Sequence, residues 1–277
     1  MTSSSAVAAA KPSRSRPSPA RFFWWVVFIL GVLYFFLPLL ATLLFALRSQ
    51  PFLSAFTDTL TASDFWSALG YSFVIGIITI VISVVLILPT AFWVRLRVPR
   101  ARPFVEFITL LPFVIPPVVI VFGLLQMYAN KPISLTTAPF GSDLLLIGAY
   151  VVLSLPYMYR SIDAGLRTLD ILTLTEAAQS MGAGWGRILV QIILPNLRVS
   201  LLSGAFLTLA IVVGEYTIAS FLARPAFGPF IALIGRNEAY RPAAVAIISF
   251  GLTWLAMGVI AVVGRGSRTR IRITGAH

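Results

Sequence analysis

Glu176-Ala-Ala-Gln-Ser-Met-Gly182-Ala-Gly-Trp-Gly-Arg-Ile-Leu-Val-Gln-Ile192-Ile-Leu194-Pro195 lies between two long apolar blocks of the 277-residue chain. Thr173-x-x-Glu176 has the form of a capping box, which predicts a helix from Leu174. Ala177 and Ala178 favour helix and keep its surface low, so another protein can approach closely. Gly182 suits the left-handed turn that ends such a helix. A second helix is expected from Trp185 or Gly186, leading toward the next apolar block with Pro195 near its entry. The stretch therefore reads as a short helix-turn-helix between two membrane spans.

The blocks around it define the class of protein. Hydrophobic residues make up 58% of the chain and charged residues 11%, and the mean hydropathy is +0.94. A soluble domain carries about a quarter charged residues. Spanning roughly 30 Å of hydrocarbon takes about 20 helical residues. Six stretches qualify: Phe22–Leu47, Ser67–Val94, Phe104–Tyr128, Asp143–Tyr157, Asn196–Leu222 and Ala243–Val263. Ser154, Pro156 and Tyr157 interrupt the fourth, and Pro112, Pro116 and Pro117 strip backbone donors from the third. An all-α polytopic bundle of six transmembrane helices follows. Cysteine is absent and the sole histidine is His277, so a thiolate nucleophile, the usual general base and the usual metal ligands are missing. Enzyme and metal-centre readings are disfavoured, and neither a catalytic residue nor a metal or other cofactor is expected in this chain.

The net charge of +12 is placed for topology rather than for nucleic acid. Lys11, Arg14, Arg16 and Arg21 precede the first span, and Arg95, Arg97, Arg100 and Arg102 follow the second. Arg160, Arg167, Arg187 and Arg198 surround the quoted stretch, and Arg265, Arg268, Arg270 and Arg272 close the chain. Only Arg48, Lys131, Arg224, Arg236 and Arg241 fall on the other side. Sixteen against five puts both termini in the cytoplasm. The expected organisation is a disordered cytoplasmic tail at 1–20, a membrane domain at 21–265 with a cytoplasmic loop at 160–198, and a basic cytoplasmic tail at 266–277. Phe227–Ile234 is too apolar for a free outer loop and is expected to fold back into the outer half of the bundle.

The spacing E-A-A, three residues, G, nine residues, I-x-L-P resembles the signature loop of inner-membrane permeases of binding-protein-dependent ABC importers. The resemblance implies a type I importer permease fold in a bacterial inner membrane. It implies that Glu176, Ala177, Ala178, Gly182, Ala183, Ile192, Leu194 and Pro195 form a coupling helix seated on a separate ABC ATPase dimer, where ATP and Mg bind. No phosphate-binding G-x-x-x-x-G-K-[ST] occurs in this chain itself. Further implied partners are a second permease subunit, paralogous or identical, and an extracytoplasmic solute-binding protein. Leu110-Leu-Pro-Phe-Val-Ile-Pro-Pro117 and Gly214-Glu-Tyr-Thr-Ile-Ala-Ser220 are most similar to the spermidine/putrescine branch. Relatives of that branch carry iron, thiamine or aminophosphonates, so the cargo stays open among these. The outer loop, with three arginines against Glu238, is a poor funnel for a polycation.

A substrate path is sought in polar groups inside the spans. Glu215 lies roughly 28 Å along the fifth helix at 1.5 Å per residue from Asn196. Helical spacing sets it on one face with Gly204, Thr208 and Ala219. Tyr150, Ser154 and Tyr157 share a face of the fourth helix, and Ser249 and Thr253 one of the sixth. The hydroxyls equally suit plain interhelical hydrogen bonding, and Glu215 equally suits an ion pair with Arg224, Arg236 or Arg241. An ATP-independent secondary transporter is the rival reading. Its inverted repeats and multiple intramembrane ion ligands are not visible in the sequence.

Overall fold

The computed structural model describes residues 19–129, 134–136, 138 and 140–265. Most of the N-terminal tail, Lys131 and the C-terminal tail with His277 lie outside them.

Among the described residues the fold is all α-helix. Among these residues three helices are long and apolar enough to cross a membrane, or five if each of two bent helix pairs is one span, against the six expected. α1 (Pro19–Ala46) is the first described helix. Almost all of α1 is exposed within the chain. Its end alone is fastened, by Phe45 against Tyr240 at 5.0 Å and by Ala46 packed with Ala55 of α2 (Ser54–Thr61) and with Ala244. α3 (Ser63–Arg97) and α6 (Gly141–Arg167) form the centre with α10 (Arg198–Gly214). Each turns a stripe of small or apolar residues inward at three- and four-residue spacing, such as Ala68, Ser72, Ile75, Thr79 and Ser83 on α3. Glycines allow the backbones to approach: a Cβ at Gly204 would press on Met158 and Ser161 of α6, which is how small residues serve helix packing in lipid. Ser83 and Ser154 share a 2.8 Å hydrogen bond in the α3–α6 contact.

The expected third span is two helices. α4 (Arg102–Val114) and α5 (Pro117–Tyr128) meet at a 93° bend. Ile115 is extended because it precedes Pro116, and Pro117 starts the next helix. The fourth span is longer than expected. α6 passes Pro156 and Tyr157 and continues to Arg167, so part of the expected loop at 160–198 is membrane helix extended. The fifth span breaks at Glu215, after which α11 (Thr217–Phe221) is a single turn. α12 (Phe227–Asn237) holds the apolar 227–234 segment against α3 and α13 (Arg241–Arg265), with Phe227 and Ile234 buried.

Candidate coupling surface and transport cleft

At one end of the bundle, α7 (Ile171–Ser180) follows α6 after a three-residue turn. Its cap is Asp170 rather than Thr173. The Asp170 carboxylate accepts from the Thr173 backbone N–H at 3.2 Å and from the Thr173 hydroxyl at 2.8 Å. These bonds hold the Asp170 carboxyl below the usual carboxylate range. The helix thus begins three residues before the expected Leu174, because the buried Ile171 belongs to its inner face.

The other end of α7 closes as a Schellman turn. Ala183 N–H donates to the Ala178 carbonyl at 3.0 Å and Gly182 N–H to that of Gln179 at 2.9 Å. Gly182 carries the required positive φ of 82°. From Gly184 the chain enters α8 (Trp185–Arg187), a six-residue π-helical stretch Ile188–Ile193, and α9 (Leu194–Asn196). It then turns by 80° into α10. Trp185 docks this hairpin on the end of α3, edge-on to Trp93 at 4.9 Å and under the Arg97 guanidinium at 5.3 Å.

Ile171, Thr175 and Ala178 form the inner face of α7, packed with Ile188, Ile193 and Leu197. Glu176, Ala177 and Gly182 face outward with Leu172 and Met181, which are 54% and 81% exposed. Ala183, Ile192 and Leu194 are half-buried and Pro195 is exposed. Ala178 is therefore corrected as a contact residue. At 1% exposure, its small size serves the fit of α7 against its own chain.

Higher in the bundle, both helix breaks open on one cleft of about 570 Å³. Pro112, Phe113, Ile115, Pro116, Tyr157 and Glu215 are among its walls. Glu215 follows Gly214 in extended conformation and ends α10. Its carboxylate turns back to accept from Ile218 N–H at 2.9 Å and Ala219 N–H at 3.2 Å, so it caps α11. The Tyr150 hydroxyl donates to it at 3.1 Å. None of the ion pairs among the described residues includes Glu215. Arg224 pairs instead with Asp143 at 2.7 Å, beside Tyr71, whose hydroxyl bonds the same carboxylate. Arg241 pairs with Asp64 and Glu238. The ion pair considered for Glu215 with Arg224, Arg236 or Arg241 is not among the pairs of the described residues, and Arg224 and Arg241 are engaged elsewhere. A Cβ at Gly228 would run into the Glu215 carbonyl, so the start of α12 seals the far side of this break.

The remaining polar residues sit apart. Ser154 and Thr208 are fully buried. Ser249 and Thr253 line a separate, largely apolar cavity of about 310 Å³ among α3, α10, α12 and α13. Their hydroxyls bond their own helix, at Val245 and Ser249. Glu215, Tyr150 and Tyr157 thus form one locus, which the other hydroxyls do not join. A second charged locus escaped the sequence reading: buried Asp163 gathers Arg95, Arg102 and Arg167 at the α7 end. Its only sequence signal is the four-residue spacing to Arg167.

Residues 87–268, which span the hairpin and both breaks, match the family described as the binding-protein-dependent transport system inner membrane component. The chain belongs to this family. It is thus a multi-pass inner-membrane component. Over 176 residues it is 26% identical to the spermidine/putrescine transport system permease protein PotB of Haemophilus influenzae, covering 60% of each chain. That alignment spans less than two thirds of the relative's length. The fold is similar to that of a bacterial ABC transporter involved in import of the acidic polysaccharide alginate, with TM-score 0.61, 17% identity, and 92% of this chain and 98% of that chain covered. The alginate transporter in complex with an alginate pentasaccharide-bound periplasmic protein gives 0.63 at 16% identity, covering 93% and 98%. An amino acid ABC transporter with histidines gives 0.52 at 19%, covering 73% and 93%. At such identities the likeness establishes the type I permease fold.

Proposed function

We propose that this chain is the membrane permease subunit of an ATP-driven, binding-protein-dependent importer, working by alternating access, with small cationic amines of the polyamine class as cargo. The observation that carries the transport reading is α7. It is capped at both ends, docked by Trp185, and presents Leu172, Glu176, Ala177 and Met181 outward. A rigid helix with an exposed small-residue surface is a seat for another protein, and here the seat is read for a separate ATPase dimer on the cytoplasmic side. A single bundle walls only one side of the cleft, so a second permease subunit completes it, and a solute-binding protein delivers the cargo from outside.

Glu215 supports the choice of a cation. Its carboxylate borders the cleft with no cationic partner among the described residues. A half-buried negative charge of this kind is stabilised by a positive ligand, and Tyr157 in the same cleft can add about 0.5–2 kcal/mol of cation–π attraction. The expected objection, repulsion by outer-loop arginines, weakens because Arg224 and Arg241 are already paired with acids. An aminophosphonate, iron or thiamine importer of the same class is the alternative cargo reading.

The test is reconstitution in vesicles with an ATPase and a solute-binding protein from the same organism. Spermidine uptake is expected only with ATP and all partners present. Uptake without the ATPase would replace this reading with that of a secondary transporter. ATP-dependent uptake of a different cargo alone would overturn the polyamine assignment.

A further inference from the structure

Asp163 ties three structural pieces together at the α7 end. Its side chain is only 9% exposed, and it is met by Arg95 of α3 at 3.4 Å, Arg102 of α4 at 3.2 Å and Arg167 of its own helix at 2.7 Å. Glu106 of α4 extends the cluster, 2.9 Å from Arg102 and 3.8 Å from Arg167. A carboxylate this buried is costly unless its charge is matched, and removing one partner of such a set is felt strongly. The planar fork of arginine suits holding one carboxylate from several directions.

The position of the cluster gives it a mechanical meaning. α3 ends at Arg97 and α4 begins at Arg102, so Arg95 and Arg102 grip both sides of the elbow between them. In the other direction, α6 ends at Arg167 and Asp170 already caps α7. α4 packs principally on α6 and runs up to Val114, the lip of the cleft. A displacement of α7 thus reaches the lip by one short route: the end of α6, Asp163, Arg102 and α4. Without the Arg102 tie, α4 keeps only its covalent elbow, apolar contact with α6 and the longer Glu106–Arg167 pair at 3.8 Å. Apolar contact can slide, whereas a charge pair of fixed geometry resists sliding.

Resting on the reading of α7 as the ATPase seat, we propose that Asp163 is a positioning residue for transport, joining α4 to α6 so that the cleft lip moves with the coupling hairpin. A mere staple for folding would be needed equally for stability and for transport. A transmission joint is needed for the yield of transport per ATP.

The experiment uses the full complex with its ATPase and binding protein in vesicles. Arg102→Gln cuts the short Asp163 tie to α4, leaving only the longer Glu106–Arg167 pair between α4 and α6, and it leaves Asp163 paired with Arg95 and Arg167 so that its buried charge stays matched. Asp163→Asn removes the node itself. Co-purification of the ATPase, thermal midpoint, ATP hydrolysis and uptake are read together. For Arg102→Gln the ATPase is expected to remain bound and active while uptake falls at least tenfold, so that ATP consumed per solute rises by the same factor. Arg102→Lys, which keeps the charge, is expected to recover part of the yield. Wild-type uptake per ATP in Arg102→Gln overturns the proposal. So does failure of Asp163→Asn to assemble beside a normally transporting Arg102→Gln, which makes Asp163 a folding staple. If the ATPase does not associate with the wild-type chain, the underlying reading of α7 falls first and this proposal with it.

Discussion

The Tyr150 hydroxyl donates a 3.1 Å hydrogen bond to the Glu215 carboxylate, linking the middle of α6 to the break after α10. Glu215 therefore has two separable properties, its hydrogen bonds and its charge. Glu215→Gln keeps an oxygen to cap α11 and removes the charge. Uptake of a proven polyamine is expected to fall at least about tenfold, equivalent to roughly 1.4 kcal/mol. The thermal midpoint, assembly and basal ATP hydrolysis stay close to wild type. Tyr150→Phe keeps the charge but removes one donor from a half-buried acceptor that retains the Ile218 and Ala219 N–H groups, expected to cost about 1 kcal/mol of stability with a smaller effect on uptake. Unchanged uptake by Glu215→Gln would end the counter-charge role.

The same geometry separates Glu215 from Arg224 and Arg241. Arg224 and Asp143 lie 2.7 Å apart with side chains 28% and 19% exposed. A double-mutant cycle with Arg224→Gln and Asp143→Asn is expected to give a coupling of roughly 1 kcal/mol, as for neighbours in one polar network. A cycle with Arg224→Gln and Glu215→Gln is expected to add within about 0.5 kcal/mol. Thermal unfolding in detergent measures both. Rescue of a Glu215→Gln defect by an arginine substitution would show that Glu215 is paired with that arginine after all.

Absence of cysteine makes the α7 surface directly readable. Ala177 is exposed and its neighbour Ala178 is 1% exposed. A single cysteine at 177 is expected to react with a maleimide at least tenfold faster than one at 178 in the isolated permease. In the assembled complex, Ala177→Cys and Glu176→Cys should crosslink to an engineered cysteine on the ATPase, and Ala178→Cys should not. Equal labelling at 177 and 178 would mean that α7 is rotated from its position here.

The α7 hairpin was readable in the sequence because its signals are local. Gly182 at a helix end and Trp185 at a helix start each act within a few residues. Asp170 was missed as the cap because Asp170-x-x-Thr173 and Thr173-x-x-Glu176 compete. The choice between them rests on the tertiary burial of Ile171, which no local pattern reveals. The break at Ile115 was announced by its prolines, but that at Glu215 has none. Gly214 ends one helix, and the carboxylate of Glu215 starts the next by folding back on Ile218 and Ala219. Pro156 misled in the opposite direction: α6 continues through it to Arg167. A lone proline removes one backbone bond, and packing on both sides of α6 outweighs that loss.

Gly182 offers the sharpest test of the hairpin. Its φ of 82° is in the region that side chains with a Cβ resist, yet nothing lies within 4 Å of where that Cβ would stand. Any loss on substitution is therefore conformational rather than steric. Asparagine tolerates the left-handed region better than most residues, whereas valine is among the least tolerant. Gly182→Asn is expected to cost about 1 kcal/mol or less and to keep ATPase association, while Gly182→Val costs roughly 1–2 kcal/mol or more locally. Such a loss is enough to unwind the last turn of α7, where Ala183 and Gly182 bond back to Ala178 and Gln179. Co-purification of the ATPase and uptake, compared across Gly, Asn and Val, should fall in that order. If valine transports as well as glycine, the hairpin does not need its left-handed turn, and α7 cannot be the rigid seat described here. If asparagine fails as badly as valine, the cause is contact with the partner at a glycine surface rather than backbone strain.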